Sequence, residues 1–358
     1  MSPKRSSLGE LPGQRRLAVV LAAAIGLWIG AQAMVVRVAR AADADAPATT
    51  VAAGDQAVQR GLAYLAGRQR DDGSYGEGPY RGNVAVTAFV SRAMMAAGSK
   101  PGAGQYGDKL SKSVDYLLRL AQPNGLIASK EPRENGPMYG HAFALGFLAQ
   151  CQKASPWADV RETMVKAVEV IVKSQNRDGG WRYQPRPLDA DLSVTVTQLS
   201  GLLAARDAGI DVPEATVTQA VAYVKKSQNQ DGGFRYLIQG GSSGFARSAA
   251  AVAVLFLAAN QSGQETRKGL DYLRTFPPSA GIGQPELFYF YGHYYAAQAL
   301  SHAGQEAWDR WYPAVRDGLL AQQHKDGSWP DAASVDLGTA MVCLTLQTKP
   351  VAPAESAQ

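Results

Sequence analysis

Nine polar side chains share one kind of position, the start of a long apolar stretch. They are Tyr139 and His141, Asp191 and Ser193, Arg247 and Ser248, Tyr291 and His293, and Asp336. Together they offer carboxyls and imidazoles that can move protons, and a guanidinium and phenols that can orient the polar end of a ligand. Each also has a quieter use. Asp191, Ser193 and Asp336 suit helix caps and first turns, where an oxygen accepts from an orphan backbone N–H, and capping outranks chemistry for these three. An imidazole on an apolar face, as at His141 and His293, is more often a hydrogen-bonded core group than a catalyst. Arg247 needs a counter-charge there, and Asp191 or Asp336 is the expected partner. The aromatic run Phe288-Tyr289-Phe290-Tyr291 and Tyr294-Tyr295 could hold a cation, but packing is its expected use.

The elements that must position these groups follow from a repeated phrase. Ser174-Gln175-Asn176-Arg177-Asp178-Gly179-Gly180-Trp181-Arg182-Tyr183 returns as Ser227-Gln228-Asn229-Gln230-Asp231-Gly232-Gly233-Phe234-Arg235-Tyr236. Looser copies run from Gln69 to Tyr75 and from Gln323 to Trp329. Gln69, Gln122, Gln175 and Gln228 are spaced by 53 residues, and the 95 residues from Gln228 to Gln323 hold one degraded unit around Leu270–Pro278. A fixed period of this size means stacked supersecondary units, here six.

Each unit contains two helical patterns. The first, as in Ala167-Val168-Glu169-Val170-Ile171-Val172, is amphipathic and belongs on the outside. The second is apolar nearly all round, as in 84–97, 139–151, 192–205, 245–259, 287–300 and 337–346, and must be covered on every side. An open array needs a polar outer face on its last repeat. Here Thr339-Ala340-Met341-Val342-Cys343-Leu344 is as apolar as its counterparts, so the array is expected to close. The fold class is all-α, an (α/α)6 toroid over 52–349, with the inner helices lining a central cavity. In each turn Asp-Gly supplies the reversal and a positive φ, and the aromatic packs back over the hairpin.

Gln-x-x-Asp-Gly-Gly-Trp between an amphipathic and an apolar helix resembles the repeat of squalene-hopene and oxidosqualene cyclases and of protein prenyltransferase β subunits. The resemblance implies a site at the N-terminal ends of the inner helices. It does not by itself imply catalysis. Cyclases of this kind protonate their substrate with Asp-x-Asp-Asp-Thr-Ala, and the nearest stretch here is Asp189-Ala190-Asp191-Leu192-Ser193-Val194-Thr195. Aligned from Asp189, the third acid is replaced by Leu192. Aligned on Thr195, as Thr87, Ser248 and Thr339 favour, only Asp191 survives. In either register the acid lacks part of the environment expected to raise its pKa. The prenyltransferase zinc site is an Asp-x-Cys pair with a later His. Here it becomes Asp191-Leu192-Ser193, and Asp336-Leu337-Gly338-Thr339 stands where the His-bearing segment would fall, so no metal and no cofactor are expected.

Residues 1–41 carry basic residues, an apolar run from Leu17 to Val36 and a small-residue site Ala39-Arg40-Ala41, the pattern of an export signal or membrane anchor. Residues 42–51 read as a polar linker and 350–358 as a disordered tail. The first 41 residues hold six basic side chains and one acidic, the whole of the net charge of +5. The remainder is balanced, which removes the electrostatic case for a nucleic-acid partner. Cys151 and Cys343 are expected as free, buried thiols, one whole repeat apart. These features together point to an exported, non-catalytic toroid that binds an apolar or peptide ligand in its cavity or serves as a scaffold. The alternative is an isoprenoid or triterpene enzyme with Asp191 as its acid.

Overall fold

The structure is a computed structural model, and it describes residues 47–129, 136–259, 263–277, 288–331 and 333–351. The leader expected over 1–41 and most of the expected tail lie outside these residues. Twelve α-helices alternate between outer and inner positions among the described residues. The outer set is α1 (Pro47–Arg68), α3 (Gly107–Leu120), α5 (Ala158–Ser174), α7 (Glu214–Lys226), α9 (Gln264–Arg274) and α11 (Gln305–Leu320). The inner set is α2 (Val84–Ala96), α4 (Met138–Ala154), α6 (Leu192–Asp207), α8 (Phe245–Ala259), α10 (Tyr289–Ser301) and α12 (Val335–Gln347). Helix α1 begins at Pro47, inside the stretch expected to be linker. A small antiparallel hairpin, β1 (Arg235–Leu237) and β2 (Gly240–Ser243), follows the fourth turn.

Each inner helix packs on the next, and α12 packs on both α2 and α1, which closes the ring. The turns hold it closed by a repeated device. The glutamine amide donates to its own turn's glycine carbonyl and to a carbonyl on the outer helix of the next repeat. Gln175 Nε2 reaches Gly179 O at 2.9 Å and Thr216 O at 3.0 Å; Gln228 reaches Gly232 O at 2.9 Å and Glu265 O at 2.8 Å. Gln323 does the same across the seam, to Gly327 O at 2.9 Å and Ala57 O at 2.8 Å. The turn aromatics Tyr75, Trp181, Phe234 and Trp329 are fully buried. The Nε1 of Trp181 donates to Ile171 O, and that of Trp329 to Leu319 O, both at 2.7 Å, so each indole ties the turn back to its own outer helix.

Aromatic side chains meet across the middle of the ring, in the space expected to be a cavity. The Phe89 ring of α2 lies 4.6 Å from Phe143 of α4 and 5.4 Å from Tyr294 of α10, which is not its neighbour in the ring. Tyr295 adds a T-shaped contact to Tyr294 at 4.9 Å. All four are buried. Edge-to-face pairs of this kind gain from quadrupole geometry beyond their buried area. Both cysteines are free and buried, as the repeat geometry required.

Candidate functional site

Asp191 is the N-cap of α6. Its backbone is extended, which lets Oδ1 turn back and accept from Val194 N at 2.9 Å. Its own N–H donates to Trp181 O at 3.0 Å, so the end of the third turn and the start of α6 form a short bridge. Its other oxygen, Oδ2, accepts from the Tyr236 hydroxyl at 3.1 Å and lies 3.8 Å from Arg182 Nε. Tyr236 stands on β1 and is hydrogen-bonded in turn to the Tyr183 hydroxyl. Arg182 lies over both phenol rings, 5.4 Å from the centre of Tyr183 and 6.0 Å from that of Tyr236, and pairs with Asp189 at 2.9 Å. Tyr139, at the start of α4, brings its ring to 6.1 Å from Tyr183.

Asp191 is 0 % exposed, whereas Arg182, Tyr183, Tyr236 and Tyr139 are half-buried. A ligand at this mouth therefore meets tyrosines and a guanidinium, with the carboxyl behind them. Burial pushes the Asp191 carboxyl up to about 6, against the opposing pull of the Val194 N–H, the Tyr236 hydroxyl and Arg182. The carboxyl is thus raised without the third acid of the cyclase motif, because desolvation outweighs the hydrogen bonds. Burial and the Asp191 charge likewise raise Tyr236 and hold Tyr139 well above the usual phenol range. Both stay protonated as donors.

The remaining predicted residues divide. Ser193 joins the site, its side chain beside the Tyr139 hydroxyl. Tyr291 is half-buried in α10, its ring 4.7 Å from that of Tyr295, its hydroxyl buried without a hydrogen-bond partner, and it is close enough to Tyr139 for the two phenols to interact. His141 and Ser248 are structural. Thr87, Thr195, Ser248 and Thr339 each accept the backbone N–H of their turn aromatic, from Tyr75 at 3.1 Å, Trp181 at 3.1 Å, Phe234 at 2.8 Å and Trp329 at 2.9 Å. In the degraded second repeat His141 Nδ1 does the same for Ile127 N at 3.0 Å, while Nε2 donates to Ala167 O at 3.0 Å. Burial depresses its pKa to about 4, so it is a neutral core group. His293 packs among Tyr289, Phe245 and Trp311.

Arg247 does not pair with either aspartate. Its Nε donates to Phe234 O at 3.1 Å and Nη2 to Ser242 O at 3.4 Å, because the β1–β2 hairpin folds its carbonyls over the side chain. The aspartates take other arginines. Asp336, in the first turn of α12, accepts from Arg68 Nε at 3.2 Å and from Gly76 N at 3.0 Å. Glu77 lies 4.0 Å from the same arginine and accepts from Val335 N at 2.5 Å and from the Ser334 hydroxyl at 3.1 Å. Burial, then the Glu77 charge, raises Asp336. This cluster joins the first repeat to the last and reads as a clasp. Among the described residues, no three His, Cys, Asp or Glu side chains converge to hold a metal ion.

The residues missed from sequence are Arg182, Tyr183 and Tyr236. A signal was present. The Arg-Tyr pair follows the aromatic only in the two clean copies, whereas Tyr75-Gly76 and Trp329-Pro330 make the same turn without it.

Six helical hairpins closed on themselves, with a polar cluster at the N-terminal ends of the inner helices, define an α/α toroid. The pattern of the prenyltransferase α/α toroid domain matches residues 48–185, and that of the squalene-hopene cyclase C-terminal domain matches residues 148–288. The two matches overlap, and over residues 48–288 the chain is similar to the prenyltransferase and squalene-cyclase repeat proteins. No curated protein matches it. Among solved structures it is similar to an inactive variant of an α-1,6-mannanase from Salegentibacter sp. HEL1_6 bound to α-1,6-mannotriose. That match has 11% identity and a TM-score of 0.64, covering 82% of this chain and 98% of the other. It is also similar to a type II terpene cyclase from Scytonema in complex with geranylgeranyl dihydroxybenzoate, at 13% identity and a TM-score of 0.56, covering 84% and 97%. A protein from Actinoplanes matches at 14% identity and a TM-score of 0.58, covering 82% and 98%. These likenesses establish the fold alone.

Proposed function

We propose that the chain is a non-catalytic binding toroid that takes a peptide at its N-terminal mouth, on the surface made by Arg182, Tyr183, Tyr236 and Tyr139. The observation that carries this reading is the aromatic filling of the ring. Phe89, Phe143, Tyr294 and Tyr295 occupy the space in which a long apolar substrate would have to fold. Recognition then falls to the rim, where half-buried tyrosines give large contact area at low cost in side-chain entropy. Asp191 holds that surface in place through Tyr236 and Arg182. An export signal or membrane anchor over the first 41 residues, as the sequence suggests, supports a binder that works outside the cytoplasm.

The test is selection of a displayed random peptide library on the purified protein, with a Tyr183→Ala/Tyr236→Ala double variant as the counter-target. Enrichment of a motif that the variant fails to hold is the expected result. Failure to enrich any sequence removes the peptide reading.

A second reading rests on the raised Asp191 carboxyl, since an acid with a pKa of about 6 keeps a protonated fraction near neutral pH. In this reading Asp191 protonates an alkene, as in isoprenoid cyclisation. Conversion of squalene or a polyprenyl diphosphate by the native protein, and not by Asp191→Asn, would replace the binding reading with this one.

A further inference from the structure

The other end of the ring, where the inner helices finish, holds a pocket of about 400 Å³. This is within the range of small-molecule sites, about 300–1,000 Å³. Four inner helices deliver long side chains to it: Arg92 from α2, Gln150 from α4, Gln298 from α10 and Gln347 from α12, with Thr348 just beyond. No carboxylate lines it among the described residues.

The guanidinium of Arg92 rests on the aromatic filling, 5.8 Å from the centre of the Phe89 ring and 5.9 Å from that of Tyr294. Its Nε is buried without a hydrogen-bond partner. A buried donor on a charged group is costly to leave unmade, so it calls for an acceptor. The glutamines supply the complementary half. Gln347 Nε2 donates to Cys343 O at 3.0 Å and to Ala93 O at 3.3 Å, and Gln298 Nε2 donates to Thr348 Oγ1 at 3.3 Å. These two side chains donate within the protein, which leaves their amide oxygens as acceptors. One fixed cation beside a group of acceptors matches a ligand with one anionic group and several donors.

We infer that this pocket is a binding site for a small carboxylate carrying hydroxyl or ammonium donors, with Arg92 holding the carboxylate and the glutamines of α4, α10 and α12 the donors. It is separate from the peptide-binding mouth and does not depend on that reading.

Isothermal titration calorimetry of the purified protein tests it, with sodium gluconate and sodium glutamate as probes and glucose as the uncharged comparator. Saturable binding of at least one carboxylate is expected, with glucose weaker and Arg92→Gln weakening it about tenfold or more. Arg92→Lys is expected to fall between the two, since it keeps the charge and loses the planar fork. Saturable heat from neither carboxylate overturns the inference. So does equal affinity for glucose and gluconate, or unchanged affinity in Arg92→Gln. Should circular dichroism show Arg92→Gln unfolded, Gln298→Leu takes its place. That variant keeps the cation and is expected to bind more weakly, and unchanged affinity in it overturns the inference equally.

Discussion

Two buried titratable residues pull the protein's stability in opposite directions with pH. His141 has a folded pKa of about 4, below its unfolded 6.5, so the folded state resists protonation. Its contribution is intact above pH 6.5 and is lost as pH falls from there toward 4. Asp191 has a folded pKa of about 6, above its unfolded 3.8. Its contribution is fully present below pH 3.8 and is lost as pH rises through 6, at most about 3 kcal/mol across the window. Asp191→Asn is therefore expected to be relatively more stable than the native protein at pH 8 than at pH 5, as read by urea unfolding at both. His141→Thr, which installs the acceptor used by the other repeats, is expected to flatten the loss between pH 6.5 and 4. His141→Ala leaves Ile127 N without its acceptor and is expected to cost about 2 kcal/mol. At this scale the sequence was half legible. Asp191, Ser193 and Tyr139 could be placed because helix register carries them to one end. Arg182, Tyr183 and Tyr236 could not, because a turn and a hairpin from two repeats meet only after the ring is built. His141 looked like a lone imidazole until its partners identified it as a substitute for threonine.

The element most fully legible was the turn, since its glycines answer to geometry. Gly179 has φ +91°, and a Cβ there would sit 2.3 Å from Gln219 O on the next outer helix. Gly209 also has a positive φ, +78°, but open space around it. Gly209→Ala should cost only the backbone term, about 1–2 kcal/mol. Gly179→Ala is expected to cost clearly more, since the neighbouring helix must retreat. Comparing the two by thermal melts separates strain from contact. The apolar helices were equally legible, because a helix with no polar face admits only an inner position. The filling of the lumen was not. Phe89 and Tyr294 are far apart in the chain, and no local pattern says that their rings meet.

Closure is the property of the whole molecule. Gln323, with Gly327 packed under Arg60 O, and the Arg68–Asp336–Glu77 clasp join the last repeat to the first. A chain ended at residue 303, which lacks the sixth repeat, is expected not to fold, as judged by circular dichroism and gel filtration. An open array would keep five repeats folded. The device that makes each turn has a consequence for synthesis. The turns of Gln69, Gln175 and Gln228 are each completed by the outer helix of the next repeat, whereas that of Gln323 reaches back 266 residues to Ala57. Of the described helices α1 leaves the ribosome first and finds its main partner, α12, last. Five repeats can add to one another in order as they emerge, but the first helix must wait with its apolar face uncovered until the final turn is made. Long-range contacts of this kind slow folding and leave apolar surface exposed to aggregation. The order in which this chain is made thus decides where it is most vulnerable, at the seam between its two ends.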